Sequence, residues 1–350
     1  MKINDENMIK KSVNKPGIQY YSVEDPVFDI RGVFREENAY VRMPRKVAET
    51  VSPGIAEDYA LNAGGRVRFI TDSPYVAVSA VLAGIYHIPT MSLTGTCGMD
   101  VYADGAFCGV ISPDASKQEL QISGLANMHS PGEHLIEVDL PLYACAEQVW
   151  IGIEEGACLK PAPGYTYDKP IVFYGSSITN GACSTRPGFS YPARLSRMLD
   201  SDYINLGFGG LCKAEQEMTD YIASLDMSIF VLDYDHNAKD AAYLKATHEK
   251  AYRTIRSKHP KLPILMISCP RYDLLGEWGE RLNIIRQTYE NAVQAGDQNV
   301  YLINGSEFFG EIGYDYSDDG IHPSDLGFDY MARGIYPVLK KILQQEETVK

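Results

Sequence analysis

The sequence lacks any apolar run long enough to cross a membrane. Residues 1–7 also contain no apolar stretch of the kind that a secretory signal requires. Basic residues are outnumbered, because 32 Lys and Arg stand against 46 Asp and Glu and give a net charge of −14. Nucleic acids and anionic membranes attract basic surfaces, so we expect this acidic chain to bind neither.

The cysteines lack the pattern of a disulfide framework. They number seven, which is odd, and none forms a Cys-x-x-Cys pair. This usage is typical of reduced cysteines in a cytoplasmic protein, so we expect a cytoplasmic location. No cluster of His, Cys and acidic residues has the spacing of a metal site, and we therefore expect no metal and no cofactor.

The chain changes character near residue 160. Up to this point, short β-rich runs alternate with turns, which is typical of a β-sandwich or jelly roll. Residues 103–106 contain an Asp-Gly pair and predict a hairpin turn, and the Pro-rich residues 160–164 predict a linker. We therefore predict an all-β domain at 1–160 and an α/β domain at 165–350. The predicted strands of the first domain lie at 66–70, 75–81, 99–102, 109–111, 134–140 and 148–153.

Strands alternate with helices in the second half of the chain. Such alternation predicts a parallel five-stranded sheet with helices on both faces. In open sheets of this kind, ligands bind beyond the carboxyl ends of the strands. The predicted strands lie near 171, 203, 229, 264 and 300, and the predicted helices at 191–199, 213–224, 241–258, 279–295 and 324–343.

A serine follows the first of these strands. Residues 171–174 are apolar, and a Gly-Ser-Ser turn then places Ser177 at the carboxyl end of the strand. An ordinary turn would have the same composition, so the partner residues decide between the two explanations. Asp319 and His322, three residues apart, would supply a base for the serine and an acid to orient that base.

Two further strand ends carry groups that suit an oxyanion hole. The strand near 203 ends in a glycine pair, where the N–H of Gly210 would be open to a substrate. The strand near 229 ends in polar residues, among which Asn237 offers a side-chain N–H. Both fit donors aimed at the charge that develops in acyl transfer, although a tight turn and a helix cap are the alternative explanations.

These motifs resemble those of the SGNH (GDSL-type) hydrolases over residues 168–345. The segment 175–179, Gly-Ser-Ser-Ile-Thr, is similar to the first family motif, usually Gly-Asp-Ser-Leu. Gly210 is similar to the glycine of the second motif, Asn237 to the asparagine of the third, and residues 319–322, Asp-Gly-Ile-His, to the last. Ser176 replaces the usual Asp, and the third motif reads Asp-Tyr-Asp-His-Asn instead of Gly-x-Asn-Asp.

The resemblance implies a flavodoxin-like sheet and a role for each motif. Ser177 would be the nucleophile, His322 its base and Asp319 the residue that orients the base. The N–H groups of Ser177 and Gly210 and the amide of Asn237 would form the oxyanion hole.

The first half of the chain carries a looser resemblance. Residues 98–102, Gly-Met-Asp-Val-Tyr, are similar to the Gly-x-Asp-Leu-Tyr segment of the β-rich domain that precedes some SGNH esterases. Similar two-part architectures occur in carbohydrate esterases that remove acetyl groups from plant polysaccharides. The domain would then bind glycan, shape one wall of the active site or mediate oligomerisation, and the sequence favours none of the three.

We therefore predict a serine esterase that acts through an acyl-enzyme on an O-acetylated sugar or oligosaccharide. A lysophospholipase or thioesterase is the alternative among enzymes, and a catalytically silent glycan-binding module is the alternative outside them. Candidate substrate contacts are Tyr272, Trp278 and Arg271, which follow the fourth strand, although packing within their loop is the alternative for each. The expected partner is a small-molecule or oligosaccharide ester, and a homo-oligomer is possible.

Overall fold

The computed structural model describes residue 13 and residues 15–114 and 119–348 of the 350-residue chain. Residues 1–7, on which the expectation of no secretory signal rests, lie outside the described part. Within the described ranges, no helix is both long and apolar enough to span a membrane.

Two antiparallel sheets dominate the first half of the chain. Their strands are β1 (Ile18–Ser22), β2 (Asp29–Arg31), β5 (Arg66–Thr71), β6 (Tyr75–Leu82), β7 (Met99–Ala103), β8 (Ala106–Ile111), β9 (Gln121–Asn127), β10 (His134–Asp139), β11 (Ala146–Glu154) and β12 (Lys160–Pro161). One sheet has the order β1-β11-β6-β9, and the other has the order β12-β5-β10-β7-β8 with β2 also paired to β5. The remaining elements are the hairpin β3 (Phe34–Glu36) and β4 (Ala39–Val41) and the helices α1 (Arg45–Val51), α2 (Pro53–Asp58) and α3 (Leu93–Thr96).

Apolar side chains of both sheets meet in one buried cluster. Val78 of β6 and Ile151 of β11 come from one sheet, and Phe69 of β5, Val101 of β7 and Ile136 of β10 come from the other. Because side chains alternate between the two faces of a strand, a shared cluster means that the sheets pack face to face. The predicted β-rich architecture of this half is confirmed, whereas jelly-roll connectivity and the domain limits 1–160 and 165–350 stay predictions.

The hairpin predicted at residues 103–106 is confirmed. β7 and β8 are joined by Asp104 and Gly105, whose φ angles of +49° and +78° suit the two-residue turn that an Asp-Gly pair favours. The predicted linker differs from the structure, because its first residues, Lys160 and Pro161, pair with β5 as an edge strand. Proline is accepted at a sheet edge since one side of that strand needs no N–H donor.

The second half contains the predicted parallel sheet. Its strands are β13 (Tyr167–Gly175), β14 (Ser201–Gly207), β15 (Ile229–Asp233), β16 (Ile264–Ile267) and β17 (Val300–Ile303). Their order is β14-β13-β15-β16-β17, so the chain reverses its direction of winding at β13. Gly175 is in register with Gly207 and with Asp233. The segments that follow these three strands therefore leave the sheet at the same edge, where such folds bind ligands.

Helices cover both faces of the parallel sheet, as predicted. Apolar residues of α6, α7 and α8 pack on one face and those of α5 and α9 on the other. α6 begins later than predicted because Ala214 has a left-handed φ of +52°, which a right-handed helix does not contain. The helices are α4 (Ser177–Asn180), α5 (Tyr191–Leu199), α6 (Gln216–Ser224), α7 (Ala241–Lys258), α8 (Glu277–Gln294) and α9 (Asp325–Thr348).

Candidate active site

Ser177 is held beyond the carboxyl end of β13 by a tight turn. The strand ends at Gly175, and Ser176 caps α4 by accepting a hydrogen bond from the N–H of Ile178 (3.1 Å). Ser177 is the first residue of this helix. A side chain at position 175 would collide with the carbonyl oxygen of Asp233, so glycine is required where the strand ends.

Asp233 anchors the helix that carries Ser177. Its buried carboxyl group is hydrogen-bonded to Thr179 Oγ1 (3.1 Å) and to the hydroxyl of Tyr191 (2.9 Å). Burial, together with the charge of the neighbouring Asp235, raises the pKa of Asp233 well above its ordinary value. Burial thus favours the protonated form of this carboxyl group, and its hydrogen bonds tie α4 to β15.

The structure brings Ser177, His322 and Asp319 together. Ser177 Oγ lies 2.8 Å from Nε2 of His322, and Nδ1 of the same ring lies 2.7 Å from Oδ2 of Asp319. The network assigns the tautomer: Nδ1–H donates to the carboxylate, and Nε2 accepts from the serine hydroxyl. This arrangement can move a proton from the serine to the ring while the carboxylate stabilises the ring as it becomes charged.

The carboxylate of Asp319 is stabilised in its charged form. Partial burial opposes ionisation, but hydrogen bonds from the backbone N–H of His322 (2.8 Å), from the N–H of Ile321 (2.9 Å) and from the His322 ring outweigh it. The pKa of Asp319 is therefore below its ordinary value. The side chains of Asp319 and His322 remain 21% and 23% exposed, so the pair is open to solvent on one side.

Asp319 and His322 lie on one closed turn. Gly320, between them, has a φ of +83°, a conformation that glycine adopts without strain. Ser317 and Pro323, on either side of the turn, form an antiparallel bridge. The bridge closes the turn and gives the two side chains a common direction, which the three-residue spacing predicts.

The segment after β14 runs beside Ser177. Gly210 is exposed and has a φ of +72°. A methyl group added to the preceding Gly209 would lie 3.9 Å from Ser177 Cβ and 3.9 Å from the ring of Tyr143, which is ordinary van der Waals contact. The N–H of Gly210 thus belongs to a segment that borders the serine, and its role as an oxyanion donor stays a prediction.

Asn237 has one end of its amide fixed by the backbone. It ends a 3₁₀ turn at Asp235–Asn237, directly after β15, and its Oδ1 accepts a hydrogen bond from the N–H of Cys212 (3.2 Å). Because the oxygen of the amide faces Cys212, Nδ2 with its two donors faces away from it. This orientation suits an oxyanion donor, and that role also stays a prediction.

The three candidate substrate contacts have defined neighbours. Tyr272 is exposed and its ring packs edge-on against Tyr314, with 4.9 Å between the ring centroids. Trp278 packs against His236 at 4.9 Å, and the guanidinium of Arg271 lies 5.0 Å from the indole. Packing within the loop therefore accounts for Trp278 and Arg271, while Tyr272 faces solvent; contact of all three with a substrate stays a prediction.

His236 is not available as an alternative base. Burial, reinforced by the neighbouring His322 and Arg271, lowers the pKa of His236 to about 3. The ring lies against Trp278 and within 3.2 Å of Cys269 Sγ. It is therefore a neutral packing residue next to the candidate site.

Residues of the first half of the chain complete the surroundings of Ser177, and the sequence reasoning missed them. Arg42 is buried and donates to Asn180 Oδ1 (2.8 Å) and to the carbonyl of Gly207 (2.7 Å). Asn180 in turn donates to the carbonyl of Leu142 (3.1 Å). Tyr143, the next residue along the chain, lies close to Gly209. The one local signal was an arginine inside the apolar segment 40–43, since arginine is rarely fully buried without partners.

The Gly-x-Asp-x-Tyr segment, residues 98–102, also belongs to the first half of the chain and contacts the segment that follows α4. Oδ2 of the buried Asp100 accepts hydrogen bonds from Arg186 Nη1 (2.8 Å) and from the N–H of Gly188 (2.9 Å). Both partners lie in the segment between α4 and α5. This motif therefore holds the segment that follows the candidate nucleophile, which is a positioning role within the protein.

A groove lies at the opposite edge of the parallel sheet. Its volume is about 740 Å³, and its lining includes Tyr167, Ser228 and His259. The hydroxyl of Ser228 donates to the carbonyl of Pro170 (3.2 Å), and the His259 ring contacts the carbonyl of Ala223 (2.9 Å). The serine and the histidine of this groove are thus engaged separately, so the groove lacks the relay found at Ser177.

Both halves of the chain match models of known protein families. Residues 168–340 match the model of the GDSL-like lipase/acylhydrolase family, and residues 18–159 match the N-terminus of the SGNH hydrolase-type esterases. No curated protein matches the chain.

Solved structures share both halves. One, named as a GDSL-like lipase from Bacteroides ovatus, is 28% identical with a TM-score of 0.83, and 93% of this chain and 98% of that chain are covered. A salicylyl-acyltransferase from a tetracycline biosynthetic pathway is 22% identical, with a TM-score of 0.75 and coverage of 93% and 98%. A family two carbohydrate esterase from Cellvibrio japonicus is 14% identical, with a TM-score of 0.63 and the same coverage. The last two show the fold alone.

The matches confirm the predicted flavodoxin-like five-stranded sheet and the β-rich half that precedes it. They also confirm that the chain is an enzyme of the carboxylic ester hydrolase class. The chain belongs to the SGNH (GDSL-type) hydrolases, with the N-terminal part typical of SGNH esterases.

Proposed function

We propose that the protein is a serine esterase that removes O-acyl groups, above all O-acetyl groups, from a sugar or oligosaccharide through an acyl-enzyme. The proposal rests on one observation: Ser177, His322 and Asp319 form a continuous relay of 2.8 Å and 2.7 Å at the carboxyl edge of the sheet. Such a relay converts a hydroxyl group that is inert at neutral pH into a nucleophile.

Each residue then has a step. Ser177 Oγ bonds to the ester carbonyl carbon while its proton moves to Nε2 of His322, and the carbonyl π electrons move to the oxygen. The N–H groups of Ser177 and Gly210 and Nδ2 of Asn237 stabilise this oxyanion. The oxyanion collapses, the alcohol leaves with the proton from His322, and a water molecule activated by the same ring releases the acid. Asp319 holds the ring in the required tautomer throughout.

The surroundings of Ser177 favour a small acyl group and a bulky polar alcohol. Gly209 borders Ser177 and Tyr143 lies next to Gly209, so both residues form part of the wall on that side. The exposed parts of His322 and Asp319 leave space for an alcohol that extends into solvent. Tyr272 and Tyr314 are 40% and 63% exposed and offer an aromatic surface for a sugar ring.

The cellular location and the domain organisation also belong to this proposal. All seven cysteines are unpaired in the described structure, and this supports a cytoplasmic location. We also propose that residues 1–160 and 165–350 are separate domains and that the first shapes one wall of the active site through Tyr143. A short-chain lipid esterase, lysophospholipase or thioesterase is the alternative, and the acyl-length comparison described below distinguishes it.

The experiment that tests the proposal is the replacement Ser177→Ala. Hydrolysis of 4-nitrophenyl acetate should fall by a factor on the order of 10⁶, because the nucleophile acts as a unit with its base. A fluorophosphonate probe should label the wild-type protein once, at Ser177, and should not label the variant. Ser228→Ala, in the groove at the opposite edge, is the matched control and should retain full activity. A folded Ser177→Ala protein with a tenth of the wild-type rate would refute the assignment.

A further inference from the structure

Cys183 lies beside the proposed relay and has no part in the reaction described above. It follows α4, and its side chain is buried with 3% exposure. Its Sγ, one ring nitrogen of His322 and one carboxylate oxygen of Asp319 all lie within 4.8 Å of one another. One thiol, one imidazole and one carboxylate therefore converge on a single point.

These three donor types are the ones that zinc prefers. Zinc bonds of about 2.0–2.3 Å in a tetrahedral site place the ligand atoms roughly 3.3–3.7 Å apart. The three ligand atoms lie within 4.8 Å of one another, and binding would lengthen the 2.7 Å contact between His322 and Asp319. Because the side chains of His322 and Asp319 are partly exposed, an ion can reach the cluster from solvent.

A cation at this point would take the place of the thiol proton of Cys183, which binding releases to solvent, and would compensate the negative charge of Asp319.

We propose that Cys183, His322 and Asp319 form a binding site for one soft divalent cation such as Zn²⁺ or Cd²⁺, and that occupancy of this site blocks the enzyme reversibly. If the ion binds Nε2 of His322, Ser177 loses its base. If it binds Nδ1, the ring loses its hydrogen bond with Asp319. Nε2 then carries the ring proton and cannot accept the proton of the serine. Either geometry interrupts the relay, so inhibition does not depend on which nitrogen is used. The inhibition rests on the proposed esterase function, whereas the binding does not.

The test uses the full chain with its two half-buried thiols removed, as Cys108→Ser/Cys158→Ser. Titration with Cd²⁺ should give an ultraviolet thiolate-to-metal absorption band that saturates at one equivalent. Adding Cys183→Ser should abolish the band, and adding Cys269→Ser, next to His236, should not. Cys183→Ala serves in the same way if the serine variant does not fold. A band that survives the loss of Cys183, or that disappears with Cys269, would overturn the site.

The activity arm uses 4-nitrophenyl acetate with added Zn²⁺. Zn²⁺ should inhibit the background protein, EDTA should restore the rate, and Mg²⁺ should have no effect because it prefers oxygen ligands. Cys183→Ser should hydrolyse the ester normally without metal and require at least about tenfold more Zn²⁺ for half-inhibition. Equal inhibition of both proteins would overturn the proposal. Ser177→Ala should still show the Cd²⁺ band, so a failure of the esterase assignment is distinguishable from a failure of the metal site.

Discussion

Replacement of Asn237 by aspartate should separate its structural role from its proposed role in catalysis. The residue uses Oδ1 to accept the N–H of Cys212 at 3.2 Å, and its Nδ2 faces away from that contact. Aspartate keeps an oxygen for Cys212 and replaces the two donors by a second oxygen. Asn237→Ala, in contrast, removes the acceptor and the donors together.

The two variants should differ in stability but share a loss of activity. Loss of one oxyanion donor costs about 10²–10³ in kcat, or about 2.7–4 kcal/mol of transition-state stabilisation. Asn237→Ala should also lower the free energy of unfolding by about 1 kcal/mol, because the N–H of Cys212 loses its partner. Asn237→Asp should retain this free energy and lose at least as much kcat, since a carboxylate would repel the oxyanion.

The measurements are kcat and KM with 4-nitrophenyl acetate and the free energy of unfolding in urea. KM should change little, because the donor acts on a charge that is present only in the transition state. If Asn237→Asp kept kcat within about threefold of the wild-type value, the oxyanion hole would be built without this residue. An effect on KM alone would instead assign Asn237 to substrate binding.

Three further variants or substrates can be tested by ester hydrolysis or by unfolding in urea. Asp319→Asn should lower kcat by about 10⁴ and His322→Ala by more, with circular dichroism unchanged, and an Asp319→Asn enzyme at a third of the wild-type rate would exclude the orienting role. Arg42→Met removes the donor from three acceptors, namely Asn180 Oδ1 and the carbonyls of Gly207 and Asp58. The free energy of unfolding in urea should fall by about 1–3 kcal/mol for each acceptor that is left buried and unpaired, and an unchanged midpoint would contradict this. Acetyl esters should have a higher kcat/KM than octanoyl esters. In an apolar pocket, each methylene would instead add up to about 0.8 kcal/mol of binding free energy. A kcat/KM that climbs with chain length would therefore favour the lipid esterase or thioesterase.

Local patterns in the sequence were sufficient to predict the parallel sheet and to select the three candidate catalytic residues that the structure brings together. The five strands and their helices follow from apolar runs and turns that each span a few residues. Ser177, Asp319 and His322 were identifiable because strand ends of a parallel sheet converge, so residues after separate strands can be grouped without knowing the fold in detail. The Asp-Gly turn at 104–105 was predictable for the same local reason.

Local patterns predicted the wrong local structure at two places. Lys160 and Pro161 resemble a linker, yet β5 offers them an open edge and they pair with it. The late start of α6 depends on the left-handed conformation of Ala214, which no periodicity in the sequence indicates.

Only the tertiary structure revealed what surrounds Ser177. Arg42 contacts Asn180 across 138 residues of sequence, Tyr143 reaches Gly209, and Cys183 meets the Asp319–His322 turn. The sequence by itself determined the kind of fold and the candidate catalytic residues, because periodicity and motif chemistry are properties of short segments. The packing of the first half against the sheet decided which residues border the candidate nucleophile, and the fold of the second half brought Cys183 to the Asp319–His322 turn. Such contacts depend on how distant segments meet and leave no periodic trace in either segment.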